Sequence, residues 1–228
     1  PEGYLEKFWS HGKSYGPGSG RDMPFMFSRG CPFRCTFCSS PQMWTTRYSL
    51  RNIDDVTQEI KHYIKRYNIT GVQVYDLTAI IKKDWIVDLC KNLINEGIKL
   101  DWSLPTGTRS EALDKEALSL LKEIGLKYIA YAPESGSSKT LKEIKKKVKL
   151  DVLTRSARDA IKLGINVRTN LIIGFPSESW KEIFQTLRYG LKSVFYGIDE
   201  VPLYVFVPYP GSEITEQLVN TSKIKYYY

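Results

Sequence analysis

The chain is poor in the residues that build the commoner metal and disulfide frameworks: it holds four cysteines and two histidines, His11 and His62. Four cysteines, three of them in one short run, do not make a disulfide scaffold, so a reducing, cytoplasmic setting is expected. No apolar run approaches the roughly 18 residues of a membrane span, and no signal-peptide pattern opens the chain. A phosphate loop is absent as well. GKS stands at residues 12–14, but Lys7 occupies the position where that loop requires a glycine. Gly16, Gly18 and Gly20 miss the dinucleotide-binding spacing, and no strand pattern precedes them.

What is present is an ordinary globular composition, 42% hydrophobic and 25% charged over 228 residues, enough for one domain with a substantial core. The net charge of +8 raises the question of nucleic acid. Much of it sits in Lys139, Lys142, Lys145, Lys146, Lys147 and Lys149, in and just after one predicted helix, with no interleaved aromatic residues. Such a run reads as a solvated face, and nucleic acid is not an expected partner.

Apolar strands alternate with amphipathic helices. Strands are predicted at residues 24–29, 72–76, 100–104, 127–132, 166–173 and 200–207. Val56, Ile60, Ile64 and Tyr67 form a helical stripe behind the candidate caps Asn52 and Asp54. Leu118, Leu121 and Ile124 form another, stopped by Gly125; Leu153, Ala157, Ala160 and Ile161 a third, stopped by Gly164. Residues 177–192 read as a helix capped by Ser177. Alternation of this kind predicts parallel strands joined by right-handed crossovers. Six units are too few for a closed eight-fold barrel. The expectation is an α/β fold, an open partial (β/α)6 TIM-like barrel with outer helices.

Cys31, Cys35 and Cys38 stand in SRGCPFRCTFCSSPQMW with the spacing Cys-x-x-x-Cys-x-x-Cys. A zinc site would need a second pair or histidines downstream; the remaining Cys90 shares a helical face with Trp85, Ile86, Leu89 and Leu93 and reads as core. Three thiolates are one short of the four that close an iron–sulfur cluster. A [4Fe–4S] cluster held this way keeps one iron free for another ligand. In a parallel barrel, chemistry collects at the carboxyl ends of the strands. Asp76, Arg109, Glu134 with Ser135 and Gly136, and the turn Gly174-Phe175-Pro176 all fall in or beside predicted strand-to-helix loops there, and Arg168 lies within the fifth strand. Their bland readings are caps, ion pairs and tight turns.

The cysteine run, with Phe37 before the last cysteine, resembles the cluster loop of the radical S-adenosylmethionine (radical SAM) enzymes. The resemblance covers about residues 24–212 and implies a [4Fe–4S] cluster on Cys31, Cys35 and Cys38, with S-adenosylmethionine (SAM) as second cofactor. It further implies cofactor contacts from Phe37, Asp76, Glu134, Ser135, Arg168, Ile172, Gly174 and Pro176: the acid after the fourth strand for the ribose, Arg168 for the carboxylate, and residues 172–176 for the adenine. The match departs from the family pattern at Asn170, at the Ser177-Glu178 order, and in YDLT after the second strand.

CTFCSSPQMWTTRY, TGTRSEAL, APESGS and GFPSES together are similar to the cobalamin-binding branch, which includes anaerobic magnesium-protoporphyrin cyclases and lipid methylases. On that resemblance residues 1–22 are a linker-like lead-in, 23–212 the core domain and 213–228 a tail. Cobalamin would then be held by a domain outside this chain. The implied activity is reductive cleavage of SAM for radical or methyl-transfer chemistry on an organic small molecule, with a flavodoxin- or ferredoxin-type reductant. An RNA methylthiotransferase predicts a second cysteine cluster and an RNA-binding tail, neither visible; an iron–sulfur electron carrier predicts a fourth ligand.

Overall fold

The computed structural model describes residues 3–11, 16, 18 and 20–225, which leaves the GKS triplet outside the described residues. Six strands form one parallel sheet in sequential order: β1 (Asp22–Phe25), β2 (Gly71–Val74), β3 (Asp101–Thr108), β4 (Leu126–Glu134), β5 (Asn166–Ile173) and β6 (Leu203–Val205). Among the described residues no ladder joins β1 to β6, so the barrel is open, as the strand–helix alternation predicts. A two-residue antiparallel ribbon, Ser28–Arg29 against Ser49–Leu50, closes the excursion that follows β1.

The helices are α1 (Tyr4–Ser10), α2 (Ser40–Met43), α3 (Ile53–Tyr67), α4 (Lys83–Asn95), α5 (Lys115–Glu123), α6 (Ser138–Glu143), α7 (Leu150–Lys162), α8 (Trp180–Phe195) and α9 (Glu213–Asn220). None among the described residues is long and apolar enough to cross a membrane. Asn52 caps α3 by accepting the Asp54 N–H, so of the two candidate caps the asparagine acts. Ser179 rather than Ser177 caps α8. The run Ser179-x-x-Glu182 forms a reciprocal capping box, and the residues before it are drawn into a turn by Glu178.

The core lies between the sheet and its outer helices. Phe27, Val72, Val74, Trp102, Leu104, Ile129 and Val167 are buried there together with the helix stripes seen in the sequence. Phe27 packs at 5.5 Å on Trp85 of α4, and the Tyr131 hydroxyl meets Ser156 of α7 at 2.7 Å. Because side chains alternate along a strand, the intervening residues point into the lumen. Gln73 bonds there to Asp22 at 3.3 Å and to Tyr75 at 2.7 Å.

Residues beyond 212, expected as a tail, include α9, which helps to hold the cysteine loop. The Ile214 N–H donates to the Thr36 carbonyl at 2.9 Å, and the Thr36 N–H donates to Ile144 at the end of α6 at 3.0 Å.

Candidate active site

The cysteine loop leaves β1 through Gly30, whose φ of 78° is open to glycine and costly for other residues. A Cβ at that position would come within 2.0 Å of the Arg47 carbonyl, so the turn admits no side chain. The three cysteines are free and half-buried. Together with Phe37, Glu134, Thr78, Arg109 and Lys146 they line one cavity of about 160 Å³. Cys31 Sγ lies 3.5 Å from the Thr78 hydroxyl, and Cys38 Sγ accepts the Ser40 N–H at 3.4 Å. Burial pushes the Cys35 thiol up, and the Lys146 ammonium pulls it part of the way back.

Glu134 ends β4 with φ at 69°, a left-handed conformation costing a non-glycine residue about 1–2 kcal/mol. The register with β5 shifts between Tyr131 and Glu134, an irregularity of the kind that re-aims a side chain. Its carboxylate lies in the cavity, 2.8 Å from the Lys146 ammonium.

Lys146 is the residue the sequence reading missed. It belongs to the lysine run assigned to solvent, yet only 15% of its side chain is exposed. The cause is local. Helix α6 ends in a Schellman turn in which Lys145 (φ 54°) takes the left-handed position, with Lys146 N–H bonded to Leu141 and Lys145 N–H to Lys142. The reversal carries the next side chain inward. A glycine at position 145 would have signalled it; a lysine hides it. Burial alone would lower the Lys146 pKa, but the Glu134 carboxylate and the Cys35 sulfur together outweigh it and hold the ammonium above its ordinary range.

Arg109 stands at the mouth. Its guanidinium stacks 4.1 Å over the Phe33 ring, bonds Glu111 at 3.1 Å and reaches the Lys147 carbonyl. Phe37 packs at 5.6 Å on Phe175, which packs at 5.2 Å on Phe206 beyond β6. Through this stack the turn after β5 touches the cysteine loop. Gly174 at φ 84° and Phe175 both donate their N–H groups to Glu178. Ile172 packs on the same cluster, whereas Gly174 and Pro176 are exposed.

The other expected contacts lie elsewhere. Asp76 is fully buried and accepts from the Phe27 N–H at 2.8 Å and from the Ser28 hydroxyl. Burial raises its pKa to about 6 despite those bonds. Ser135 faces Thr186 of α8 at 2.8 Å. Arg168 lies in the lumen beside Asn170 (2.9 Å), Glu200 (3.1 Å) and Tyr204. Leu171 is level with Glu134, so Arg168 sits three residues, roughly 10 Å, below the cavity rim.

Among the described residues, no set of three His, Cys, Asp or Glu side chains is gathered tightly enough to hold a single metal ion. Three free thiols spread around one cavity suit a multi-iron cluster better than mononuclear zinc. Cys90 is fully buried in α4, where burial pushes its thiol up to about 12, and it does not line the cavity.

The model of the Radical SAM superfamily matches residues 25–190, and the chain belongs to that superfamily, which uses a [4Fe–4S] cluster and SAM. The chain is similar to an uncharacterized methyltransferase of Pyrococcus horikoshii, with 27% identity over 85% of this chain and 41% of the relative. It is also similar to the cytidylyl-2-hydroxyethylphosphonate methyltransferase of Streptomyces wedmorensis, with 29% identity over 85% of this chain and 36% of the relative. It thus spans less than half the length of either. The fold is similar to that of the radical SAM methyltransferase TsrM from Kitasatospora setae, solved with cobalamin and a [4Fe–4S] cluster bound. There the TM-score is 0.73 at 14% identity, covering 87% of this chain and 36% of that one.

Proposed function

We propose that this chain is the catalytic core of a cytoplasmic radical SAM enzyme of the cobalamin-dependent kind, acting on an organic small molecule. The observation that carries the reading is that Cys31, Cys35 and Cys38 share one cavity with a buried acid and a buried cation, Glu134 and Lys146. The three thiolates would hold the [4Fe–4S] cluster, which supplies the electron for reductive cleavage of SAM.

Around it the chain's own groups bind and orient. Glu134 offers acceptor oxygens for the ribose hydroxyls. Lys146 offers an ammonium for the carboxylate, a role that Arg168 is too deep in the lumen to share. The Phe37–Phe175 stack and Ile172 give an apolar wall beside the adenine position. Arg168, with Asn170 and Tyr204, is left to meet a polar part of the substrate in the lumen. Exposed Met43 and Trp44, which follow the cysteine loop, give an apolar rim suited to a cobalamin-carrying domain. The similarity to cobalamin-dependent methyltransferases supports this reading, with a flavodoxin- or ferredoxin-type donor as reductant.

Anaerobic reconstitution with iron and sulfide tests it. About four irons per chain, an electron paramagnetic signal altered by SAM, and slow release of 5′-deoxyadenosine without methyl transfer are expected. Lys146→Met should weaken SAM binding tenfold or more, from the loss of a charged hydrogen bond worth about 1.5–3 kcal/mol, with the cluster intact; Arg168→Met should leave it unchanged. A stable one-zinc protein would refute the cluster. Unchanged affinity in Lys146→Met would refute the cation assignment.

A further inference from the structure

Helix α8 packs on its own domain with its small and polar residues and turns its large apolar ones outward. Its buried positions are Glu182, Thr186, Gly190 and Ser193. Trp180, Phe184, Leu187, Leu191, Val194 and Phe195 are exposed, Trp180 at 85% and Phe195 at 88%. At 100° per residue these six fall within an arc of roughly 100°, a single stripe along the helix.

The stripe continues onto the edge strand. Leu203, Val205 and Val207 are exposed, and α9, the helix that follows β6, lies against the cysteine loop instead of covering them. Among the described residues the edge itself has free hydrogen-bonding groups. Pro202 O accepts from Leu171 and Phe206 N–H donates to Ile173, so by alternation Leu203 and Val205 direct their N–H and C=O groups away from β5.

The size of the face is informative. Trp180, Phe184 and Phe195 alone present on the order of 500 Å². With the leucines and valines the face reaches the order of 800 Å², above the largest patch of a typical monomer and equal to one partner's share of a standard interface.

Chemistry selects the occupant. An unpaired strand edge needs backbone groups, which lipid cannot supply. The six stripe residues and the exposed Leu203, Val205 and Val207 are all uncharged. The exposed Asp199 and Glu200 lie in the loop before β6, so the apolar seam itself offers a partner no charge to complement. Lys181, Arg188 and Lys192 lie on the other flank of α8, where they line a groove with Ser138 and Lys139 of α6. A charge-free seam is complementary to itself, and a twofold axis at the β6 edge would keep the two basic flanks apart.

We infer that this face is a homodimer interface, in which β6 pairs with β6 of a second copy and the α8 stripes pack beside it. The inference rests on the fold alone, independently of the proposed chemistry.

Sedimentation equilibrium of the full chain should give twice the 26.2 kDa chain mass at micromolar concentration. Leu191→Glu, an exposed substitution, should weaken the dimer at least tenfold while the circular dichroism spectrum is retained. Val205→Pro should do the same, since it removes only an N–H that points out of the barrel. Iron uptake in both variants should match the parent, which separates failure of this inference from failure of the cluster reading. A monomer at every concentration, a dimer indifferent to both variants, or a monomer that sediments with phosphatidylglycerol vesicles would overturn it.

Discussion

Glu134 and Lys146 form a pair that is nearly withdrawn from water, and each depends on the other. Removing one partner of such a pair leaves an uncompensated charge. Lys146→Met should therefore cost about 3 kcal/mol in urea unfolding, and the double variant Lys146→Met/Glu134→Gln should recover most of that loss. Asp76 acts differently, as an anchor whose carboxyl ties the start of the cysteine loop to β2. Its pKa is raised by burial to about 6, so the folded state holds its proton more tightly than the unfolded chain does. The associated stability is fully present below about pH 4 and is lost as pH rises through about 6. Asp76→Asn keeps an acceptor and should remove up to about 3 kcal/mol of that pH dependence, read as a flatter urea midpoint between these limits.

At the scale of elements, the turns and caps position the site. Lys145 occupies the left-handed position of the α6 Schellman turn, where glycine is unstrained. Lys145→Gly should stabilise the chain by about 0.5–1 kcal/mol while Lys146 stays in the cavity, because the exposed pair it loses with Glu213 is worth little. Phe175 is the middle ring of the stack that joins the turn after β5 to the cysteine loop. Phe175→Ala should cost about 3–5 kcal/mol and lower iron occupancy at a given sulfide concentration, measured by iron content after gel filtration.

For the whole molecule, the open parallel sheet presents three surfaces at its strand ends and edge: the cysteine cavity, the polar lumen beneath it, and the apolar α8–β6 seam. Strand–helix alternation makes the sheet parallel, and parallel strands bring every strand-to-helix loop to one rim. That convergence puts a loop from residues 31–38 beside a residue at 134 and another at 146. If the cobalamin reading holds, adding hydroxocobalamin to the isolated chain should give no saturable spectral shift, because no described domain is built to hold it. A tight stoichiometric shift would show that the core binds cobalamin alone.

The amino-acid sequence by itself determined the six-strand alternation with the helices between the strands, the three-cysteine loop, the buried status of Cys90 and the superfamily, but not α1, α2 and α9. Each is a local pattern: a period of two or 3.6, a glycine stop, or a spacing of thiols on one short loop. The strand at residues 166–173 is legible to the residue, since Val167, Thr169 and Leu171 alternate with the more polar Asn166, Arg168 and Asn170 and burial follows the same alternation. Only the tertiary structure decided which polar groups share a space. Asp76 and Arg168 carry the right chemistry at plausible strand positions, but one is enclosed by the Phe27–Ser28 turn and the other lies a strand's half-length below the rim. Lys146 sits among solvated lysines in the sequence and reaches the cavity through one left-handed residue. The reason is physical: spacing along a strand fixes which face a side chain points to, whereas its depth, and the partners that satisfy it, depend on register and turns contributed by segments far away in the chain.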